Sequence, residues 1–410
     1  MEEQEPAPRP LTATWAAAHI EGVSGVEAAE EVPIPMEDDG VNSCVSRLLM
    51  QLPAGQTAEY IVKRSTAGAS LGAATTQRWY EREYRFYTEI ARRSPCASGP
   101  QDLSTDAAAE DTEQSWPPTL LRVPRCAAAR WAGRKAESFL LVVEALDAPA
   151  WTRADTAQTC SLGEALMALE ALGEFHGRFY GRAKELSGLK WLPLMPVHLE
   201  MATGIQAYYA GCWLRFARGH LEGKLPAGAV SMCDAVCEQY PALLRRLAQP
   251  PLTLLHGDFR LENLRFAAAP PQEGQAVPVP APAAVAAFDW QFVCRGRGAY
   301  DFAYFLALAM PPPERRQRED ELKKRYQAAV GCYGADASAV TFEEDVCAAL
   351  LLIMASFVMG AATAPAHLMP MHERSLEWLA AMAMDWNASR VLPGAGGSLQ
   401  GATAGIAVAN

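Results

Sequence analysis

The sequence is short of positive charge: 36 Lys and Arg residues are outnumbered by 47 Asp and Glu residues, and the formal net charge is −11. A protein that binds nucleic acid generally needs a basic face to neutralise phosphates. We therefore expect no nucleic-acid partner. The acidic balance does not exclude an anionic cofactor, because a single site can be locally basic or carry metal ions.

Long apolar runs and paired cysteines are also missing. The longest apolar run, around 347–359, is interrupted by polar residues and is shorter than the roughly 20 residues of a membrane span, so it predicts a buried helix. The acidic segment MEEQEPAPRP lacks the pattern of a secretory signal. The ten cysteines form no CxxC pair and no zinc-type cluster, which indicates reduced thiols. These features predict a cytoplasmic protein without a membrane partner.

The chain does contain an ordered succession of β-prone and helical segments. Strands over 44–52 and 58–63 flank the turn sequence PAGQ and predict a hairpin. A helix over 76–93 follows, and most of the chain after position 147 is helical, beginning with a helix over 161–181. This order predicts an α+β fold with a small antiparallel β lobe and a larger, mainly α-helical lobe.

Changes in composition set the predicted boundaries. Segments rich in Ala, Pro, Ser or Gly are poor candidates for a packed core and are read as an extension, loop insertions and a tail. In chain order, we predict an N-terminal extension (1–35), a β lobe (36–146) with an insertion (94–118), a helical lobe (147–392) with an insertion (268–284), and a disordered tail (393–410).

The segment HGDFRLEN (256–263), followed by FDW (288–290), carries the clearest chemistry. Asp258 follows a short strand, the chain returns as a second strand at Asn263, and Asp289 ends a third strand. Phosphoryl transfer needs a carboxylate that accepts the proton of the attacking hydroxyl, together with oxygen ligands for magnesium. Each of these residues alone is also typical of a turn. The spacing of all three together favours a phosphotransferase site.

These motifs resemble a known family. HGDFRLENLRF and FDWQFVCRGRGAYDFAYFL are similar to the core of the aminoglycoside phosphotransferase/choline kinase superfamily, closest to its ecdysteroid-kinase-like branch. The resemblance implies a protein-kinase-like fold with two lobes. It implies that Asp258 is the catalytic base and that Asn263 and Asp289 bind Mg²⁺. It also implies that Asp301 is a buried carboxylate bracing the catalytic loop and that His256 is structural.

Two details indicate small-molecule substrates rather than proteins. Where protein kinases carry His-Arg-Asp and Asp-Phe-Gly, this chain has His-Gly-Asp and Asp-Trp-Gln. The second motif lacks the glycine that makes the corresponding protein-kinase loop mobile. We therefore expect no activation-loop switch.

An ATP site needs a cation from the β lobe. Lys63 closes the strand AEYIVK, and Glu83 lies at helical spacing from an aromatic stripe that includes Trp79 and Phe86. A partly buried carboxylate needs a cation or hydrogen-bond donors. We predict a Lys63–Glu83 ion pair that holds the lysine against the nucleotide phosphates, the role that the resemblance also implies. A solvated Lys63, or an arginine partner for Glu83, is the alternative.

Two further segments are candidates for nucleotide contacts. The sequence DDGVNSCVSR contains a single glycine, Gly40, rather than a GxGxxG run, but Gly40 and Ser43 could still bind phosphate oxygens. The strand over 139–146 is predicted to end at a hinge, where the backbone of Glu144 and Leu146 pairs with adenine as in the resembling family. The alternative is a simple buried strand end.

The acceptor stays open. A choline-like, steroid, sugar, amino-alcohol or aminoglycoside hydroxyl fits the motifs, and QFVCRGRG does not look like an acidic choline motif. Aromatic residues can cage a quaternary ammonium group, but are more often core; the candidates are Trp191, Tyr208, Tyr209, Trp213, Trp378 and Trp386. The sequence predicts an ATP- and Mg²⁺-dependent small-molecule kinase. The alternative is a pseudokinase, a nucleotide-binding scaffold without turnover.

Overall fold

The computed structural model describes residues 8–34, 43–65, 73–93, 120–131, 139–147, 149–153, 159–180, 182–196, 199–268, 285–333, 339–362, 364 and 366–392. The strands are β1 (Ala28–Pro33), β2 (Ser43–Gln51), β3 (Thr57–Ser65), β4 (Leu121–Arg122), β5 (Cys126–Arg130), β6 (Leu140–Glu144), β7 (Trp151–Thr152), β8 (Thr253–Leu255), β9 (Leu264–Ala267), β10 (Val285–Ala287) and β11 (Cys294–Gly296). The helices are α1 (Ala13–His19), α2 (Ala73–Arg85), α3 (Leu162–Tyr180), α4 (Ala183–Gly188), α5 (Ala202–Cys212), α6 (Arg218–Leu221), α7 (Ala227–Leu247), α8 (Ala299–Leu308), α9 (Pro312–Gly331), α10 (Ala339–Ala361) and α11 (Met369–Asp385).

The elements fall into two compact units. The first comprises residues up to 198 together with 248–338, and it contains all the strands given above. The second comprises 199–247 and the chain from 339 onward, and the elements that the structure describes in it are helices. The predicted α+β class is confirmed. The lobe boundaries stay a prediction. Almost all of the two insertions and all of the tail lie outside the described residues.

An antiparallel five-stranded sheet, in the order β1-β2-β3-β6-β5, forms the N-terminal part of the first unit. The predicted hairpin is present as β2 and β3, and the turn between them passes through Ala54 and Gly55 at φ values of 62° and 74°. Inward-facing side chains alternate along β2, with Leu48 and Met50 buried, as expected for a strand with one covered face.

The N-terminal segment belongs to this sheet, which the sequence did not predict. β1 pairs antiparallel with β2, and Trp15 and Ala16 of α1 pack in one core cluster with Leu48 and Val62 of the hairpin. The segment was missed because Ala28–Pro33 carries two glutamates and no apolar alternation. Its pairing with β2 and the ion pair between Glu31 and Arg64 stabilise it as a strand.

Two smaller sheets flank the motifs HGDFRLEN and FDW. One has the order β4-β10-β9-β7 and the other pairs β11 with β8. Antiparallel pairing of β9 with β10 places Leu264 opposite Ala287, and the Phe288 N–H donates to the Asn263 carbonyl at 3.1 Å. The loops before β9 and after β10 are thereby brought side by side.

The helical unit contains the most apolar helix, α10. Its segment Thr341–Ala361 is long and apolar enough to cross a membrane by length and composition, so the prediction that no run reaches this length was wrong. In the structure, 78% of this segment's apolar window is buried, which agrees with the predicted buried helix. A mostly buried core helix passes the same test of length and composition, so this helix is weak evidence for a membrane.

Candidate active site

The loop that begins at His256, predicted to be catalytic, depends on a glycine. Gly257 has φ = +84°, a backbone conformation that costs other residues energy. A Cβ at this position would lie 2.3 Å from the Phe292 carbonyl oxygen, which is far inside van der Waals contact. The path of the chain after β8 therefore requires a glycine between His256 and Asp258.

A buried carboxylate holds this loop from behind. Asp301, fully buried at the start of α8, accepts the backbone N–H groups of His256 at 2.7 Å and Gly257 at 2.9 Å. Its Oδ2 also lies 3.3 Å from Nε2 of His176, whose Nδ1 is 2.8 Å from the Tyr326 hydroxyl. The loop is thus anchored to α3 and α9 through one carboxylate.

His256 links the catalytic loop to the strand end that carries Asp289. Its Nδ1 accepts the Asp258 backbone N–H at 3.2 Å, so the ring proton lies on Nε2, which donates to the Phe288 carbonyl at 3.0 Å. The imidazole is consequently neutral and serves as a spacer between two backbone segments.

Asp258 and Asn263 are in direct contact. The Asn263 amide nitrogen donates to both the carbonyl and the Oδ2 atom of Asp258, each at 2.9 Å. Both amide hydrogens are then used, and the amide oxygen is left as an acceptor or cation ligand. The Tyr304 hydroxyl also bonds Asp258, and burial together with that carboxylate raises the pKa of Tyr304 well above its usual value.

Asp289 has an unusual backbone and two polar neighbours. Its φ of 65° is rare for a residue other than glycine. Lys63 Nζ lies 2.7 Å from its Oδ1, and Gln291 Nε2 lies 3.4 Å from its Oδ2. With this backbone conformation, the Asp289 carboxylate lies in contact with Lys63.

The ring of Trp290 fixes this turn. It stacks on Phe86 with ring centroids 4.0 Å apart, lies 4.5 Å from the His256 ring, and donates Nε1–H to the Ala287 carbonyl at 3.0 Å. Phe86 begins a π-helical turn that continues α2. The aromatic column therefore connects the helix carrying Glu83 with both catalytic loops.

Lys63 and Glu83 form the ion pair that the sequence predicts, with Nζ and Oε2 2.8 Å apart. Burial alone would lower the pKa of Lys63, but the carboxylates of Asp289 and Glu83 outweigh it and raise that pKa above the usual lysine range. Burial raises the pKa of Glu83 to about 7, although Lys63 opposes this and Asp289 adds to it. One ammonium group therefore serves two carboxylates.

The structure describes three of the four residues predicted to contact the nucleotide through the loop and the hinge. Ser43 begins β2, opposite Ser65, whereas Gly40 lies outside the described residues. The Glu144 backbone N–H already donates to the Arg125 carbonyl at 2.9 Å, and the Glu144 side chain pairs with Arg122. That N–H is therefore engaged within the sheet. Leu146 is buried just beyond β6.

Of the six aromatic candidates for an acceptor cage, three are buried, one is exposed and two are half-buried: Tyr209, Trp213 and Trp386; Tyr208; Trp191 and Trp378. In the helical unit, Tyr209 and Trp213 are fully buried and bond the Cys233 carbonyl and the Asp234 carboxylate. Trp191, in the first unit, donates to Glu89 at 2.6 Å. Their polar atoms are used in packing, which agrees with the core interpretation.

Sequence reasoning missed three residues close to this site. Arg260 Nε lies 3.4 Å from Asp258 Oδ1, Tyr304 bonds the same carboxylate, and His176 contacts Asp301. Arg260 lies inside the HGDFRLEN motif and Tyr304 inside DFAYF, so both were within the quoted segments. The only signal for His176 is a polar ring on the apolar stripe of α3.

Comparison with known proteins gives one family match. The model of the ecdysteroid kinase-like family matches residues 43–331. A search of curated proteins finds no match.

Several solved structures are similar to the chain. One, from Ralstonia eutropha JMP134 and assigned as an aminoglycoside phosphotransferase, has 14% identity and a TM-score of 0.48, with 92% of this chain and 97% of that chain covered. The amicoumacin kinase hAmiN, in complex with AMP-PNP and Ca²⁺, has 12% identity and a TM-score of 0.44, with 86% and 88% covered. A mutant of aminoglycoside phosphotransferase APH(4)-Ia with ADP and hygromycin B has 10% identity and a TM-score of 0.43, with 89% and 95% covered.

Proposed function

Because the chain belongs to the ecdysteroid kinase-like family, we propose that it transfers the γ-phosphoryl group of ATP to a hydroxyl group of a small molecule. The observation that carries the proposal is the contact of Asp258 with Asn263 beside Asp289, with Lys63 bridging Asp289 and Glu83. A base, oxygen ligands for a cation and a phosphate-binding lysine are the parts that phosphoryl transfer needs.

In this proposal Asp258 orients the acceptor hydroxyl and accepts its proton. Asn263 holds Oδ2 of Asp258, and we assign Oδ1 to the acceptor hydroxyl. The Tyr304 hydroxyl, bonded to the same carboxylate, helps to fix the plane of Asp258. The buried anchor at Asp301 and the neutral His256 keep the loop rigid, which lowers the cost of aligning the hydroxyl with the phosphorus atom.

The donor set fits a magnesium ion. Asn263 bonds Asp258 through its amide nitrogen, so its amide oxygen can bind a cation. Asp289 supplies a carboxylate at the adjacent strand end. Among the described residues no group of three or more His, Cys, Asp or Glu side chains could hold a metal. Magnesium fits such a sparse set because it keeps several water ligands. When bound, it would neutralise charge on the phosphates.

Lys63 is proposed to hold the nucleotide phosphates, positioned by Glu83. The ion pair keeps the ammonium at the end of β3 against the strand end that carries Asp289. Backbone groups at Glu144 and Leu146, with Gly40 and Ser43, remain proposed contacts to adenine and phosphate. For Glu144 the N–H is already bonded to Arg125, so its carbonyl is the group proposed to meet adenine.

The partner is proposed to be a neutral or cationic small molecule, because the protein is acidic. A cytoplasmic location is proposed on the composition and the scattered thiols. The pseudokinase alternative has less support, since the lysine, its glutamate partner and both acids of the predicted site are present.

The Asp258→Asn variant tests the proposal. It should bind MgATP with affinity close to wild type but lose turnover by about 1,000-fold or more, because the proton acceptor is removed. Labelled ATP, an extract of small metabolites and a panel of hydroxylated acceptors give the readout. Asp320→Asn, an exposed aspartate on α9, is the matched control.

MgATP binding and turnover of the wild-type protein distinguish a kinase from a pseudokinase. Binding of MgATP without turnover on any acceptor would favour the pseudokinase. Equal turnover in D258N and wild type would show that Asp258 is not the base.

A further inference from the structure

Arg260 occupies a place in the candidate active site that the proposed mechanism does not use. It lies two residues after Asp258, with Nε 3.4 Å from Asp258 Oδ1 and 3.9 Å from Glu262 Oε2. Its Nε is buried and forms no hydrogen bond of good geometry with the residues that the structure describes. A buried guanidinium donor without an acceptor is costly, so the resting arrangement leaves binding capacity unused.

The charges around Arg260 are mainly negative. Asp258 raises its pKa above the usual arginine range against the effect of burial, and Glu262 and Asp289 add to the rise. The arginine therefore stays charged and lies within electrostatic reach of both acids of the predicted site. Lys63, the other cation placed here, is already shared between Glu83 and Asp289.

The contact with Oδ1 conflicts with the role of Asp258. Asn263 holds Oδ2, the proposed mechanism assigns Oδ1 to the acceptor hydroxyl, and Arg260 stands beside Oδ1. The guanidinium stands where the acceptor hydroxyl has to approach this oxygen. For Asp258 to act, the guanidinium needs another anion to bind.

We propose that Arg260 is a phosphate-contacting residue whose guanidinium donates to a non-bridging oxygen of the γ-phosphoryl group of bound ATP, which releases Oδ1 of Asp258 for the acceptor. This inference rests on the proposed kinase function. The acceptor hydroxyl lies between Asp258 and the phosphorus atom, so a group 3.4 Å from Oδ1 is close to the transferred group. A planar guanidinium fork also suits phosphate oxygens.

The reaction then balances as follows. The acceptor oxygen forms a bond to the γ-phosphorus atom while the bond to the β–γ bridging oxygen breaks and ADP leaves. The acceptor proton passes to Asp258 Oδ1. Arg260 keeps its protons and stabilises the negative charge on the non-bridging oxygens throughout the transfer.

The test compares MgATP with MgADP on the full chain, because only ATP carries the γ-phosphoryl group. Arg260→Ala should weaken MgATP binding by about 10- to 100-fold and change MgADP binding by less than about 2-fold, as measured by titration calorimetry. Arg260→Lys should retain part of the preference, since it keeps the charge without the fork. Arg325→Ala, which removes an exposed arginine paired with Glu170, is the matched control.

The possible outcomes are distinct. A loss of MgATP affinity without a loss of MgADP affinity supports the inference, because a general structural defect would weaken both. An unchanged ratio of the two affinities in R260A and R260K overturns it while leaving the kinase proposal intact. A wild-type protein that binds neither nucleotide overturns the kinase proposal, and this inference with it. If R260A does not fold, R260K provides the same comparison.

Discussion

At the scale of single residues, Lys63 is the point where distant parts of the chain meet. Its ammonium group contacts Glu83 of α2 and Asp289 after β10, the latter 226 positions away in sequence. Both carboxylates compete for one cation, and Glu83 is the more deeply buried of the two. Protonation of Glu83 would therefore leave Lys63 to Asp289 and weaken its attachment to α2.

This coupling predicts a pH dependence of nucleotide binding. The pKa of Glu83 is raised from 4.5 to about 7, so lowering the pH from about 8 to 6 should protonate it and weaken MgATP binding. Glu83→Gln imitates the protonated form and should bind MgATP about 10-fold more weakly at pH 8. Titration calorimetry across this range should show the two proteins converging at low pH. Glu81→Gln, on the same helix, is the control.

The raised pKa of Glu83 affects folding stability in the opposite direction to MgATP binding. The folded protein keeps a proton on Glu83 between pH 4.5 and about 7 that the unfolded chain has released, so this contribution to stability falls as the pH rises. A wild-type to E83Q affinity ratio that stays constant with pH would contradict the coupling.

At the scale of elements, hydrogen bonds and an ion pair attach the N-terminal segment to β3 beside Lys63. Glu31 of β1 accepts hydrogen bonds from Arg64 at 3.0 Å, from the Ser46 hydroxyl at 2.6 Å and from the Leu11 N–H at 2.8 Å. Arg64 follows Lys63 on β3, and its guanidinium also donates to the Pro8 carbonyl. A single carboxylate thus joins the segment before α1, β1, β2 and β3.

Removing this carboxylate should destabilise the first unit. Burial would raise the pKa of Glu31, but hydrogen bonds from Arg64, Ser46 and Leu11 lower it below its usual value. Glu31→Gln should therefore lower the free energy of unfolding by about 2 kcal/mol at neutral pH, because Arg64 loses its buried partner. Urea unfolding at pH 7 measures the loss. Glu30→Gln, exposed on the same strand, should change stability by less than about 0.5 kcal/mol.

The pH dependence gives a second check on Glu31. Because its folded-state pKa is lowered, its stabilising contribution is complete above the usual carboxyl pKa and is lost as the pH falls through the lowered value. The stability difference between E31Q and wild type should shrink in acid. A difference that persists unchanged would assign the effect to packing instead of charge.

At the scale of the whole molecule, the family model matches fewer residues than the folded elements span. The family model covers 43–331, whereas α1 and β1 lie before it and α10 and α11 after it. The residues proposed for catalysis all lie within the matched part and within the first compact unit. The added N-terminal elements extend the sheet that carries Lys63, and so belong to the fold of this unit.

Ligand binding should be visible as stabilisation of the whole chain. MgATP at about 100 times its dissociation constant should stabilise the folded state by about 2.7 kcal/mol and raise Tm. Chelating Mg²⁺ with EDTA should remove most of the shift, because ATP alone brings phosphate charge towards Asp258 and Asp289. Asp289→Asn should show a reduced magnesium-dependent shift, and Asp320→Asn an unchanged one. A full shift in EDTA would contradict a cation at Asn263 and Asp289.

The residues of the short motifs could be predicted from the sequence more fully than the contacts around them. The spacing within HGDFRLEN and its distance from FDW were sufficient to propose Asp258, Asn263 and Asp289, because strand, turn and strand are local in sequence. The Lys63–Glu83 pair could also be proposed, since an acid in an aromatic stripe needs a cation. β1 was missed because its pairing, and not its composition, makes it a strand.

By itself, the sequence determined the α+β class, the family resemblance and the chemical type of the site, since these depend on residue identity and short-range spacing. Only the tertiary structure decided that Lys63 serves two carboxylates, that His176 and Tyr326 brace Asp301, and that Arg260 stands beside Asp258 Oδ1. Most of these contacts join residues far apart in the chain, and all depend on burial and side-chain direction. The energy of a buried charge is set by the neighbours that folding brings to it.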